Sequence, residues 1–147
     1  MTKITVLNGP SLNMLGIREP DVYGSSSYDD LCRMISSHAD SSGCQVEVFQ
    51  YDLQGEMVSC INKSSGISQG LIVNPGGYSH TSVAVLDAMK AFNGPVVEVH
   101  ISQIHRREPF RHRMLTARGA DAVISGAGFT GYLSAMDIIL EMLRRNG

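Results

Sequence analysis

Short apolar runs typical of β-strands alternate with helical patterns along the whole chain, and this alternation limits the possible folds more than any other feature. The strands are expected between amphipathic segments, at Ile4–Leu7, Gln45–Tyr51, Gly70–Val73, Pro95–His100 and Asp121–Ser125. Strands that alternate with helices form parallel sheets, because each right-handed crossover returns the chain to the same end of the sheet. The sequence therefore predicts an α/β fold with helices on both faces of a parallel sheet.

The helical segments carry start and stop signals. Apolar residues at helical spacing run from Tyr28 to Ala39, with Ser27 as the expected N-cap and Gly43 just beyond the end. The remaining helices are predicted at Gln54–Lys63, at about His80 to Phe92, and at Phe129–Arg144.

Five strands joined in this way favour a flavodoxin-like, doubly wound sheet with the strand order 2-1-3-4-5. In such sheets, ligands bind beyond the carboxyl ends of the strands. The 147 residues suit a single catalytic or binding domain, 1–147.

Charge and cysteine content argue against several functional classes. The net charge is −2 with His neutral, whereas a general nucleic-acid surface needs a basic excess. We find no signal peptide or membrane span, so no membrane partner is expected. The three cysteines, Cys32, Cys44 and Cys60, lack metal-ligand spacing and cannot all pair, which predicts a reducing, cytoplasmic location.

The segment Asn8–Gly24, NGPSLNMLGIREPDVYG, is expected to be a long loop after the first strand. Long loops in compact domains are often lids or binding loops. Arg18 and Tyr23 lie five residues apart within it, and a neighbouring guanidinium would favour the phenolate that a tyrosine base requires. The alternative is an ordinary surface loop.

Glu98 and His100 are two residues apart on a predicted strand, so their side chains should share a face. A carboxylate beside an imidazole orients it and raises its pKa, as a general acid or base requires. The alternative is a half-buried histidine satisfied by a structural glutamate.

Polar residues after the third and fourth strands are expected at the same rim. Asn74-Pro75-Gly76-Gly77 leads into a helix N-terminus, where free N–H groups bind carboxylate or phosphate, although Ser79 or Thr81 could simply cap that helix. A basic cluster follows and could hold a small anion; it contains Arg106, Arg107, Arg111, His112, Arg113 and Arg118.

Other chemistries are less well supported. Gly126–Gly131 matches GxGxxG, but a dinucleotide site needs an acidic residue after a following strand, and the chain has no further strand. We therefore interpret these glycines as a tight strand-to-helix turn. The histidines have no common zinc spacing, so no metal is expected. No GxSxG motif is present, so a serine nucleophile is weakly supported as well.

Taken together, NGPSLNMLGIREPDVYG, NPGGYSHTSVAVLDA, VVEVHISQIHRREPFRH and GAGFTGY resemble the type II 3-dehydroquinate dehydratases over essentially the whole chain. The resemblance implies a flavodoxin-like fold and a homododecamer, a tetramer of trimers. It implies anti elimination of water from 3-dehydroquinate to 3-dehydroshikimate through an enolate, without metal or cofactor, in shikimate synthesis or quinate breakdown.

The resemblance also implies roles for individual residues. Tyr23 would take the C2 proton, Arg18 would keep Tyr23 ionised, and His100, oriented by Glu98, would protonate the leaving hydroxyl. Asp87 would reach a neighbouring subunit's site. The remaining substrate-binding residues implied by the family are Asn74, His80, Ile101, Ser102 and Arg111.

Several positions depart from the family pattern. Ser11 stands where an asparagine usually holds a water over the enolate oxygen, so it too belongs to the catalytic set. Asp52 and Gln103 also replace asparagines, Leu86 replaces an arginine, and RMLTA at 113–117 replaces HSYLS. A weakly active or non-catalytic relative that binds a cyclic polyhydroxy acid is therefore the second hypothesis, and a flavodoxin-like nucleotide-binding module is the third.

Overall fold

The computed structural model describes residues 1–17, 19–23 and 25–147, except for the side chain of residue 23. Five parallel strands form one sheet in the order β2-β1-β3-β4-β5. They are β1 (Lys3–Asn8), β2 (Gln45–Gln50), β3 (Gly70–Asn74), β4 (Val96–His100) and β5 (Ala122–Ser125). The doubly wound, flavodoxin-like order predicted from the sequence is confirmed.

Five α-helices connect or follow these strands within the described residues. They are α1 (Pro20–Tyr23), α2 (Tyr28–Ser42), α3 (Gln54–Ser64), α4 (Val83–Ala91) and α5 (Thr130–Asn146). Helices α2 and α5 pack on one face of the sheet, and α3 and α4 pack on the other. Among the described residues, none of these helices has the length and hydrophobicity that crossing a bilayer requires.

The alternation of side chains along each strand determines which helix layer a rim residue faces. Ile4 and Val6 pack toward α2 and α5, so Asn8, two residues further on, faces that layer as well. Val96 packs toward α3 and α4, so Glu98 and His100 face the opposite layer from Asn8. The two polar networks at the rim are thereby separated by the sheet.

The caps predicted for α2 are confirmed. The Ser27 hydroxyl accepts from the Asp30 N–H, the Asp30 carboxylate accepts from the Ser27 N–H, and Gly43 ends the helix in the left-handed region with φ of 72°. This capping box satisfies two N–H groups that the first turn of a helix otherwise leaves unpaired.

The predicted start of α4 is wrong. Residues Gly76–His80 form a 3₁₀ turn, and the helix begins at Val83 with Ser82, not Ser79 or Thr81, accepting from the Val85 N–H. Val83, the first residue of the helix, is 57% exposed.

The segment between β4 and β5 was expected to be mostly loop with a turn of helix. It contains three short 3₁₀ turns, Ile104–Arg106, Pro109–His112 and Thr116–Gly119. The last turn lies against α4, since a Cβ at Gly119 would approach the Cβ of Met89 to 2.9 Å. Only a residue without a side chain allows this close approach.

Candidate active site

A pocket of about 420 Å³ lies beyond the carboxyl ends of β1, β3 and β4. Three strand-end segments meet there, as the topology predicted. The lining includes Pro10, Ser11, Leu12, Asn74, Gly76, Gly77, Tyr78, His80, Thr81, His100, Ile101, Ser102, Arg107 and Arg111. A second cavity of about 410 Å³ lies beside β2 and α3, but its Lys3 and Glu47 form an ion pair with each other at 2.8 Å.

His100 is held by a buried carboxylate. Its Nε2 donates to Glu98 Oε2 at 2.7 Å, and Glu98 and His100 are 0% and 5% exposed. The prediction that these two side chains share a face is confirmed. The hydrogen bond to the carboxylate makes Nε2 the protonated nitrogen and orients the ring. In the described part of the chain no hydrogen bond engages Nδ1, which leaves that nitrogen for a ligand.

The second oxygen of Glu98 is also bound. Thr116 Oγ1 donates to Glu98 Oε1 at 2.5 Å, and the hydroxyl is buried. Each carboxylate oxygen therefore has one donor. This arrangement limits the cost of burying the charge and holds the carboxylate in one orientation.

His80 also lines this pocket and is held differently. Its Nδ1 donates to the Arg113 carbonyl at 2.8 Å. Burial is the main reason that the pKa of His80 is lowered from 6.5, so the ring is neutral near pH 7. The proton sits on Nδ1, and Nε2 can accept a hydrogen bond from a substrate hydroxyl.

Two arginines make the pocket suitable for an anion. Arg111 lines it and pairs with Glu108 at 2.5 Å. Arg107 also lines it, lies 3.4 Å from the Ser102 hydroxyl and 3.9 Å from the Glu19 carboxylate. The latter contact links the loop after β1 to the segment after β4.

Backbone donors add to this positive potential. Among the described residues, the N–H groups of Ile101 and Ser102 donate to no protein acceptor, although Ile101 is buried. Adjacent N–H groups at a strand end can bind a carboxylate in the same way as a helix N-terminus does.

The Asn74 side chain is held by two hydrogen bonds, one to Gly76 and one to Tyr132. Its Oδ1 accepts from the Gly76 N–H at 3.1 Å, and its Nδ2 donates to the Tyr132 hydroxyl at 2.9 Å. That hydroxyl donates to Asn8 Oδ1 at 2.6 Å. Asn8 and Asn74 are partners in the β1–β3 register, so a tyrosine of α5 joins the ends of two neighbouring strands.

Ser11 is placed at the rim by strained backbone. It has φ of 64°, in the left-handed region, and its N–H donates to Asp52 Oδ1 at 2.9 Å. Gln50 Nε2 donates to the same oxygen at 3.0 Å. Ser11 and Asp52, two positions that depart from the family pattern, are therefore hydrogen-bonded to each other.

The structure brings together most of the residues predicted for the site. Glu98 lies behind His100 rather than in the lining, and Asp87 is exposed on α4 outside the pocket. Arg18 and the side chain of Tyr23 lie outside the described residues, so their roles stay predictions. The lining residues among those predicted are Ser11, Asn74, His80, His100, Ile101, Ser102 and Arg111.

Sequence reasoning missed three residues. Arg107 was recognised only as part of a basic cluster. Thr116 and Tyr132 gave no local signal, because each acts through a partner that is distant in sequence. Within the described residues, no group of three or more His, Cys, Asp or Glu is placed to hold a metal ion.

A flavodoxin-like sheet with a carboxylate–imidazole pair and arginines beyond its carboxyl ends defines an α/β protein built for acid–base chemistry on a small anion. Residues 2–140 match the model of the family described as Dehydroquinase class II. The chain belongs to this family.

Individual relatives agree with this assignment. The chain is 48% identical to a 3-dehydroquinate dehydratase of Bartonella bacilliformis over 143 residues, 97% of this chain and 90% of the relative. The crystal structure of type II dehydroquinase from Butyrivibrio crossotus superposes with a TM-score of 0.93 at 38% identity, covering 95% and 97% of the two chains. The crystal structure of type II dehydroquinase from Propionibacterium acnes superposes with a TM-score of 0.92 at 35% identity, covering 96% of this chain and 97% of that one.

Proposed function

We propose that this protein is a type II 3-dehydroquinate dehydratase, a hydro-lyase that converts 3-dehydroquinate to 3-dehydroshikimate. The observation that carries the proposal is the buried Glu98–His100 pair at the wall of a pocket that also contains Arg107 and Arg111. A proton donor beside cationic groups suits the loss of a hydroxyl from a carboxylate-bearing ring.

The first step is removal of the C2 proton next to the ketone. We assign it to Tyr23 as the base, with Arg18 favouring the phenolate. The electrons of the broken C2–H bond move to the ketone oxygen and form an enolate. Ser11, at the pocket rim, is the residue assigned to hold a donor over that oxygen.

The second step expels the C1 hydroxyl. His100, protonated on Nδ1, delivers its proton to the departing oxygen, the C1–O bond breaks, and water leaves. The enolate electrons return to form the C1–C2 double bond of a conjugated enone. Glu98 stabilises the imidazolium before transfer, and the neutral ring is left after it.

The remaining contacts would bind the substrate. The Ile101 and Ser102 N–H groups suit its carboxylate, and Arg111, the neutral His80 and Asn74 suit its hydroxyls. Asp87 is proposed to act in a neighbouring protomer of a homododecamer. An exposed face of α4 that carries Val83 and Asp87, one turn apart, is available for such contact.

The test follows the ultraviolet absorbance of the enone with purified protein and 3-dehydroquinate. Tyr23→Phe should abolish turnover while leaving substrate binding largely intact, because it removes only the base. Tyr51→Phe, a tyrosine that lines the other cavity, is the matched control and should retain activity. Near-normal turnover by Tyr23→Phe would refute the assignment of the base.

The same measurement addresses the second hypothesis. Binding of 3-dehydroquinate without turnover in the unmodified protein would identify a non-catalytic relative. The proposed dodecamer is checked by sedimentation of the purified protein. A cytoplasmic location is part of the proposal and accords with the three free cysteines, Cys32, Cys44 and Cys60.

A further inference from the structure

The segment between β4 and β5 contacts both histidines of the pocket. The Arg113 carbonyl accepts from His80 Nδ1, and the Thr116 hydroxyl donates to Glu98, which holds His100. Only two residues, Met114 and Leu115, thus separate two anchors that hold the two imidazole rings of the pocket.

Thr116 is fixed by tertiary packing rather than by its local sequence. It begins the 3₁₀ turn Thr116–Gly119, and Gly119 sits against Leu86 and Met89 of α4. Its side chain is 0% exposed, so water cannot replace the hydroxyl as a donor to Glu98. The turn therefore supplies a single, buried donor at a defined position.

We propose that Thr116 is a positioning residue for the general acid and acts on His100 through Glu98. This inference rests on the proposed function only for the acid role of His100. The hydrogen bond donated to Oε1 prevents the carboxylate from rotating away from the His100 ring. Removing a donor of this kind disfavours the charged form of a carboxylate. The oriented carboxylate in turn holds the His100 ring in place.

Other charged and titratable groups near the Glu98–His100 pair also influence how the pair titrates. His80 comes from the 3₁₀ turn after β3, and Arg107 and Arg111 come from the segment after β4. These residues are unchanged by a substitution at Thr116. A change in titration can then be attributed to the lost hydroxyl.

The experiment compares Thr116→Val, which keeps the shape and removes the hydroxyl, with Thr116→Ser, which keeps the hydroxyl. The acid limb of the kcat profile of Thr116→Val should move up by about one pH unit, equivalent to about 1.4 kcal/mol. At the acidic end of that limb, the kcat of Thr116→Val should be about tenfold or more below that of the unmodified protein. Its KM should change less. Thr116→Ser should follow the unmodified protein.

A second readout does not depend on turnover. NMR titration of ¹³C-labelled histidine, with His100 assigned by His100→Gln, should show the lower of the two coupled titration steps shifted upward in Thr116→Val. If the unmodified protein is inactive but this shift appears, the proposed function fails while the positioning role stands.

Two results would overturn the inference. One is a Thr116→Val protein that melts at a lower temperature but keeps the pH profile and the His100 titration unchanged, since that is a purely structural role. The other is a Thr116→Ser protein as impaired as Thr116→Val. Should Thr116→Val fail to fold, Thr116→Ala is compared with Thr116→Ser by the same two readouts.

Discussion

Replacing Tyr132 with phenylalanine removes a single oxygen from the interior and tests whether the rim is held together from below. The Tyr132 side chain is 0% exposed. Its hydroxyl donates to Asn8 at 2.6 Å and accepts from Asn74 at 2.9 Å. The substitution leaves one buried acceptor and one buried donor without a partner.

The magnitude follows from those two groups. An orphaned buried polar group costs about 1–3 kcal/mol, and the loss of the hydroxyl's own desolvation offsets part of this. Tyr132→Phe should therefore lower the free energy of unfolding by about 2–4 kcal/mol, and Tm by roughly 5–15 °C. Affinity for substrate should fall as well, because the Asn74 amide loses one of its two anchors.

The assay is urea unfolding followed by circular dichroism at one protomer concentration, since assembly makes stability concentration-dependent. Tyr28→Phe is the matched control. Its hydroxyl accepts from Asn8 at 3.4 Å and is only partly buried, with a pKa raised by burial to about 12. Its loss ends one long hydrogen bond rather than two shorter ones, so Tyr28→Phe should cost less stability than Tyr132→Phe. Equal stability of the two variants would refute the reasoning.

Two further predictions follow from the site. Ser11→Asn should raise kcat and stabilise the fold slightly, because asparagine tolerates the left-handed backbone at φ 64° and offers an amide donor; a lower rate in the ultraviolet assay would show that serine is compensated. In the unfolded chain the His80 imidazole has its ordinary pKa of 6.5, whereas in the folded protein burial lowers that pKa. The unfolded chain therefore binds the proton more readily, and the free energy of unfolding should fall as the pH drops below 6.5. His80→Asn should flatten that limb of the urea midpoint between pH 5 and 8, and an unchanged limb would contradict the assignment.

Local rules were sufficient where neighbouring residues decide the outcome. Apolar runs and helical patterns located the strands and helices, their alternation indicated the strand order, and Ser27 marked the start of α2. The same rules misplaced the start of α4, because Ser79, Thr81 and Ser82 are all residue types that cap helices, and the fold uses Ser82.

The sequence by itself determined the sheet, its order and the polar residues delivered to its carboxyl edge, since alternation and strand topology are properties of short segments. It also placed Glu98 and His100 on one face. The roles of Arg18 and Tyr23 stay predictions.

Only the tertiary structure decided which distant residues hold the rim in place. Tyr132 meets Asn8 across 124 residues, and Thr116 meets Glu98 across 18. Such contacts depend on how α5 and a 3₁₀ turn dock onto opposite faces of the sheet. Docking is governed by the fit of whole layers, which no local pattern encodes.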